Sequence, residues 1–406
     1  MRRAVGSAVR AAVVAAVLAA ACSPRVVPSV QPDAPSPQAA LYHPPNGPTP
    51  EGKEERPRPP QVPCPVADRQ DVDAALDEAA RRYERSDYLT ALACAEQAAH
   101  AAPRSVEAHH DRADALAALE REGDAKLAYT MALALDPEDP QTLASAADFY
   151  INRATSDHDM ALIGLEYARR GSAHVGRRRD DRELAARLAL LEAEALDDLG
   201  RADEALARAE SAVAHDAKSN EARYERALIL FHLCKLDKAR AAFVEVLKLT
   251  PDDPFAHHHL GLILEREGKA AEAAAHLLRA QSLAPTQFPA PVMIDGVAFR
   301  ALVDRTVESL DPATRSLVHT VKIETPDLPE MSDLIAVDPP FPPTILGLFR
   351  GGGPKEDKSI VLYRKNLGRA VATPAELEKQ VRITLLHELG HLTGADEDEL
   401  RQRGFE

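Results

Sequence analysis

Between about Asp71 and Pro285, apolar and small residues recur at helical spacing, and a second, longer period runs through them. Pro103 and Pro137 stand 34 residues apart, and Ala217, Pro251 and Pro285 follow one another at the same interval. Ala79, Ala193, Ala227 and Gly261 share one position of this period. Ala91, Ala205, Ala239 and Ala273 share a second, and Ala98, Ala212, Val246 and Ala280 a third. Small side chains at these places let the two helices of a hairpin approach closely. The pattern predicts about six helix pairs stacked into a solenoid, because one pair cannot bury its apolar face alone. The 80 residues from Pro137 to Ala217 are two periods plus twelve, so irregular repeats are expected there. An insertion is expected near Val175 to Asp181, where Gly176-Arg177-Arg178-Arg179 breaks the pattern.

The texture changes after Pro285. Phe299, Leu302, Val303, Val307 and Leu310 follow helical spacing, while Val318 to Ile323 and Ile360 to Tyr363 read as strands. Thr344 to Phe349 is a short apolar run that ends in Gly351-Gly352-Gly353. A last helix opens on Thr373 as N-cap, Pro374 as first helical residue and Glu376 as partner in a capping box.

The repeat spacing and residue types resemble the tetratricopeptide repeat (TPR) family. Pro254 to Gln287 carries the fullest copy, with Leu260-Gly261, Leu264, Gly268, Ala273, Leu277, Ala280 and Pro285 in family positions. The resemblance implies a superhelical groove that binds a protein partner.

The N-terminus adds an export signal. Arg2 and Arg3 precede an apolar run from Ala11 to Ala21 that is too short to span a bilayer. Leu18-Ala19-Ala20-Ala21-Cys22 resembles a bacterial lipoprotein signal, with Ala19 where that signal prefers Leu. The resemblance implies lipidation at Cys22 and a membrane anchor without a membrane span; an ordinary cleaved signal peptide is the alternative. Ser23 is not the Asp that retains such proteins at the inner membrane. An exported outer-membrane lipoprotein of the bacterial cell envelope, facing the periplasm or the cell surface, is therefore expected. Residues 23–66 hold 14 of the 31 prolines and are expected to be an unfolded, semi-extended tether. The expected organisation is a signal over 1–22, a Pro-rich linker over 23–66, helical repeats over 67–287 and a C-terminal domain over 288–406.

Composition narrows the partners. Forty-nine basic against 64 acidic residues give a net charge of −15, which argues against nucleic acid as a partner. After Cys22, three cysteines remain, so at most one internal disulfide can form. Cys64 and Cys94 are the candidate pair, but the balance falls toward buried single thiols. His109-His110 and His257-His258-His259 read as ordinary groove or surface histidines, since adjacent residues on a helix point in different directions.

The last predicted helix carries His387-Glu388-Leu389-Gly390-His391. Residues four apart share a helix face, so both imidazoles can bind one Zn2+. Glu388, displaced by one position, can act as general base without ligating the metal. Leu377, Val381, Leu385 and Leu389 form an apolar stripe roughly opposite the histidines. Gly394 follows where the chain turns out of the helix, and Glu397 lies ten residues after His387.

This stretch resembles the extended zinc motif of metzincins, with Glu397 where those enzymes carry a third His. A carboxylate is an acceptable zinc ligand. Only 15 residues follow His391, too few for the later ligand helix of gluzincins. The third ligand is therefore sought in Asp396, Glu397, Asp398 and Glu399, with Glu397 first and Asp396 second. No Met follows Met331, so the metzincin Met-turn is missing. Gly296 to Glu406 instead resembles the small bacterial zincin-like metallopeptidases, through Phe299 to Leu310, Ile345 to Gly351, Ile360 to Arg364, the zinc helix and Leu400 to Phe405. That resemblance implies a minimal α+β zincin fold with an edge strand beside the metal, and Ile360 to Arg364 is the candidate strand. Tyr363, His319 and Arg364 are candidates for stabilising an oxyanion, Tyr363 more readily as a structural residue.

The fold class expected is mainly α, a TPR-like α-solenoid followed by a small α+β zincin-like domain. The function expected is an envelope-anchored zinc metallopeptidase, a hydrolase acting on a protein or peptide substrate. The alternatives are a non-catalytic TPR scaffold whose pseudo-peptidase domain only binds metal, and a polar cluster without metal.

Overall fold

The computed structural model describes residues 62–153, 158–176, 181–351, 358–395 and 399–400. The expected signal, Cys22 and most of the linker lie outside the described residues. Among those described, no helix is long and apolar enough to cross a membrane.

Among the described residues, twelve helices precede Pro285: α1 (Val72–Glu84), α2 (Tyr88–Ala101), α3 (Val106–Ala118), α4 (Glu122–Leu135), α5 (Pro140–Asn152), α6 (His158–His174), α7 (Asp181–Asp198), α8 (Ala202–His215), α9 (Asn220–His232), α10 (Leu236–Leu249), α11 (Pro254–Arg266) and α12 (Ala270–Leu283). They pack as six successive antiparallel hairpins, each stacked on the next, which is the TPR-like solenoid. The first helix of five hairpins is capped by Asp71, Ser105, Asp139, Ser219 or Asp253, whose side chain accepts from a backbone N–H in the first turn. These caps keep the 34-residue interval within each half of the array, a signal present in the sequence beside the prolines. Within the hairpins the turn passes through a left-handed residue at Ser86, Glu120, Gly200, Cys234 and Gly268. The second helices end on extended residues such as Ala102, Asp136 and Thr250, as the following proline demands.

The small residues behave as their register predicts. The alanines at the three shared repeat positions are all buried, and a methyl on Gly261 would lie 2.7 Å from Leu277 Cγ. In the irregular stretch, much of the extra length goes into the helices themselves, 17 residues in α6 and 18 in α7. Cys64 and Cys94 form a disulfide, correcting the expectation of single thiols; residues 62–71 fold back on the first hairpin, where Gln97 holds the carbonyls of Val66 and Asp68. Cys234 is the free, buried thiol among the described residues.

The C-terminal part contains α13 (Gly296–Glu308), α14 (Pro312–Val318), β1 (Lys322–Glu324), α15 (Met331–Leu334), β2 (Gly347–Arg350), β3 (Ser359–Leu362), α16 (Arg364–Arg369) and α17 (Pro374–Leu392). Two strand expectations need correction. Val318 closes a helix, because Asp311 and Pro312 form a strong helix start, and the strand is only Lys322–Glu324. The sheet order is β1-β3-β2, with β1 parallel and β2 antiparallel to β3, so Ser359–Leu362 is the central strand and β2 an edge.

Alternation along β3 gives the sheet two different covers. Ile360 and Leu362 join Phe299, Val303, Leu377, Val381, Leu385 and Leu389 of α13 and α17. Val361 and Tyr363 face the other way, into a cluster with Leu334, Phe341, Ile345, Leu348 and Cys234. Cys234 belongs to the turn of the fifth hairpin, so the repeat array reaches into the core beneath the sheet. One face of α11 completes the junction. Phe288 stacks on His258 with ring centroids 4.4 Å apart, Arg266 donates to the Pro329 carbonyl at 2.7 Å, and Glu265 binds both Lys365 and Arg369.

Candidate metal centre

Helix α17 starts as its sequence dictates. Thr373 accepts from Glu376 N–H, the Glu376 carboxylate accepts from Thr373 N–H, and Pro374 occupies the first turn. Leu377, Val381, Leu385 and Leu389 are all buried and lock the helix rotation against the sheet. That rotation places His387 and His391 together, their Nε2 atoms 3.1 Å apart and their rings nearly perpendicular at 83°. Two imidazole nitrogens on one tetrahedral zinc lie about 3.3 Å apart, given Zn–N bonds of about 2.05 Å. The pair therefore fits that ion as two of its ligands.

His387 and Glu388 are 5% and 3% exposed. Burial, and after it the neighbouring His387, hold the His391 imidazole below its ordinary range, against a hydrogen bond with the Ala395 backbone. The neutral imidazole thus favoured is the form that ligates metal.

The helix ends in a Schellman motif: Ala395 N–H donates to Gly390 O and Gly394 N–H to His391 O, with Gly394 at φ +82°. This turn holds Ala395 against the last turn of the helix. Leu400 then packs onto Gly390, where any Cβ would meet Leu400 Cδ2 at 2.2 Å. Asp396, Glu397 and Asp398 lie outside the described residues, between these two buried anchors, Ala395 and Leu400. Glu399 is exposed. Among the described residues, no group of three or more His, Cys, Asp or Glu gathers as a metal site.

The three oxyanion candidates are placed as follows. Tyr363 is fully buried and donates to Asp333 Oδ2 at 3.1 Å; burial and then the Asp333 charge push its phenol far up. Asp333 is itself clamped by Arg350, with Nε–Oδ1 2.8 Å and Nη2–Oδ2 2.6 Å. Arg364 is taken by Asp327 and the Ile294 carbonyl. His319 is an exposed C-cap residue of α14. Sequence reasoning missed Gly347, at the start of β2, whose backbone lies directly against Glu388. The edge strand at the site is therefore β2, and the expectation for Ile360 to Arg364 is corrected. Strand order depends on long-range pairing, which no local pattern encodes.

Residues 318–405 match the family model of the zincin-like metallopeptidases, and residues 190–254 and 235–288 match that of the tetratricopeptide repeat. The chain thus carries a TPR region and, at its C-terminus, a zincin-like metallopeptidase domain. No curated protein matches it. Among solved structures, PilW, a widely conserved type IV pilus biogenesis factor, is similar at 17% identity and a TM-score of 0.48, over 53% of this chain and 94% of its own. PilF of Pseudomonas aeruginosa is similar at 15% identity and a TM-score of 0.46, over 53% of this chain and 92% of its own. YrrB, a TPR protein with an unusual peptide-binding site, is similar at 19% identity and a TM-score of 0.37, over 47% of this chain and 93% of its own.

Proposed function

We propose that the chain is an envelope-anchored zinc-dependent metallopeptidase that hydrolyses peptide bonds in a protein or peptide substrate, with the repeat array recruiting a protein partner or the substrate itself. The observation that carries this reading is the convergence of His387 and His391 beside the buried Glu388 on one helix. His387 and His391 hold the metal, with Glu397, or failing it Asp396, as third ligand. Zinc, when bound, polarises a carbonyl and lowers the pKa of water. Glu388 takes the proton of the attacking water and hands it to the leaving amine.

The edge strand supplies substrate orientation. Tyr363 N–H donates to Leu346 O, so Leu346 and Tyr363 form a hydrogen-bonded pair, and the period of two makes Leu348 with Val361 another. The N–H and C=O groups of Gly347 and Phe349 then point away from β3, toward an edge that is unpaired among the described residues. An extended substrate pairs with those two residues, next to Glu388. Anchoring through Cys22 rests on the N-terminal sequence, which favours an exported outer-membrane lipoprotein.

A second reading, a scaffold with a metal-binding pseudo-peptidase domain, is favoured by the near-complete burial of His387 and Glu388. Metal analysis with peptide-library cleavage separates the two. One zinc per chain lost in His387→Ala, with cleavage abolished in Glu388→Gln at full zinc content, supports the peptidase. Zinc without cleavage supports the scaffold, and absence of zinc after metal-replete purification overturns the site.

A further inference from the structure

Glycine at position 347 is not explained by its backbone. Its φ is not among the positive values seen at Gly351 and Gly394, so any residue could adopt this strand conformation. Its surroundings supply the reason. A methyl group on Gly347 would lie 2.6 Å from Thr384 Cγ2, 3.0 Å from Glu388 Oε1 and 3.1 Å from Glu388 Cγ. Both neighbours belong to α17 and both are buried.

The strand is tied in place against such a methyl. It is paired along its length with β3, and its far end is fixed by the two-point clamp of Arg350 on Asp333. The helix is equally held, by its apolar stripe against the sheet. The groups left to move are the Glu388 and Thr384 side chains, and only the first carries chemistry.

We propose that Gly347 is a positioning residue for Glu388: its missing side chain forms the slot that fixes where the Glu388 carboxylate sits relative to the two histidines. The inference rests on the reading of Glu388 as the site's base. It goes beyond that reading by assigning the orientation of this base to the edge strand, so that substrate pairing and base placement share one residue.

The test uses the full chain loaded with Co2+ and titrated with acetohydroxamate, followed by visible absorption. This small chelator binds the metal through two oxygens, and its hydroxyl donates to a correctly placed carboxylate. Wild type, Gly347→Ala, Glu388→Ala and the double variant are compared after metal content is measured. Gly347→Ala is expected to retain one metal per chain and to bind acetohydroxamate about tenfold more weakly, the size of one charge-assisted hydrogen bond. In the Glu388→Ala background the same change is expected to cost nothing further. Binding within twofold of wild type, or an equal loss in both backgrounds, overturns the proposal while leaving the metal site intact. Should Gly347→Ala fail to hold metal, the comparison is repeated in Thr384→Ala, which vacates the closest contact, with the same two outcomes deciding. A wild type that takes up no metal overturns this proposal together with the peptidase reading.

Discussion

Cys234, in the left-handed turn of the fifth hairpin, donates its thiol hydrogen to the carbonyl of Phe341, 3.4 Å away and 107 residues later in the chain. Burial pushes the thiol up to about 11, so it stays protonated as this donor requires. A charge placed here would sit in the apolar cluster formed by Leu334, Ile345, Leu348, Val361 and Tyr363. Cys234→Glu is therefore expected to cost about 3 kcal/mol or more. Hydrogen exchange should report the loss both in α9 and α10 and in β3. Destabilisation confined to the hairpin would contradict the shared core.

The contact of Leu400 with Gly390 predicts a link between the end of the chain and the metal. Gly390→Ala overpacks that contact and should cost about 1–3 kcal/mol. Because Asp396, Glu397 and Asp398 lie between Ala395 and Leu400, displacing Leu400 should also weaken zinc, read by competition with a chelator. Adding Leu400→Ala to Gly390→Ala should recover stability but not affinity. Unchanged affinity in both variants would remove the acidic segment from the site.

The sixth hairpin should weaken in acid. Burial, with His259 and Arg369 beside it, holds His258 well below its ordinary range, and burial pushes His259 down to about 4. Both imidazoles are neutral in the folded protein at pH 6, whereas in the unfolded chain they start to take protons below about pH 6.5. The unfolded state then binds more protons, so stability present above pH 6.5 is lost as pH falls toward 4, by up to about 1.4 kcal/mol per pH unit for each group. Thermal unfolding from pH 7 to 4 should show this slope. His258→Phe, which keeps the stack on Phe288, should flatten it; an unchanged slope would assign the effect elsewhere.

Tyr363→Phe separates structure from chemistry. The phenol serves Asp333 and lies in the cluster on the far side of the sheet from the α17 core. Its loss should cost about 1 kcal/mol of stability and leave the cleavage rate within a few-fold. A drop of a hundredfold or more in kcat would make the hydroxyl part of the reaction.

What the sequence revealed and what it hid divide along the range of the interactions. Hairpins, turns and the α17 capping box depend on residues within a few positions of one another, so Pro103, Pro137, Thr373 and Glu376 announce them. His387 and His391 are legible for the same reason, one helical turn apart. The short helix α14 was signalled by Asp311 and Pro312 but lost to the β-branched residues that follow. Gly347 and Cys234 were opaque, because each acquires meaning only from a partner that the fold brings in, Glu388 in one case and Phe341 in the other. The Cys64–Cys94 link was open for a similar reason: whether the linker end folds back on the first hairpin is not written in spacing.

Among the described residues, the single residue of the array that enters the cluster on the sheet's second face, Cys234, has a consequence for how such a chain can vary. Hairpins can be gained or lost ahead of α9 without touching the candidate metal centre, as in any stack whose units meet only their neighbours. The fifth and sixth hairpins are not interchangeable in this way, since Cys234, His258, Glu265 and Arg266 are committed to residues that follow the array. The C-terminal part therefore draws on the solenoid from near Ser219 onward, and recombination at the apparent boundary around Pro285 would take Cys234, Glu265 and Arg266 away from the partners they hold.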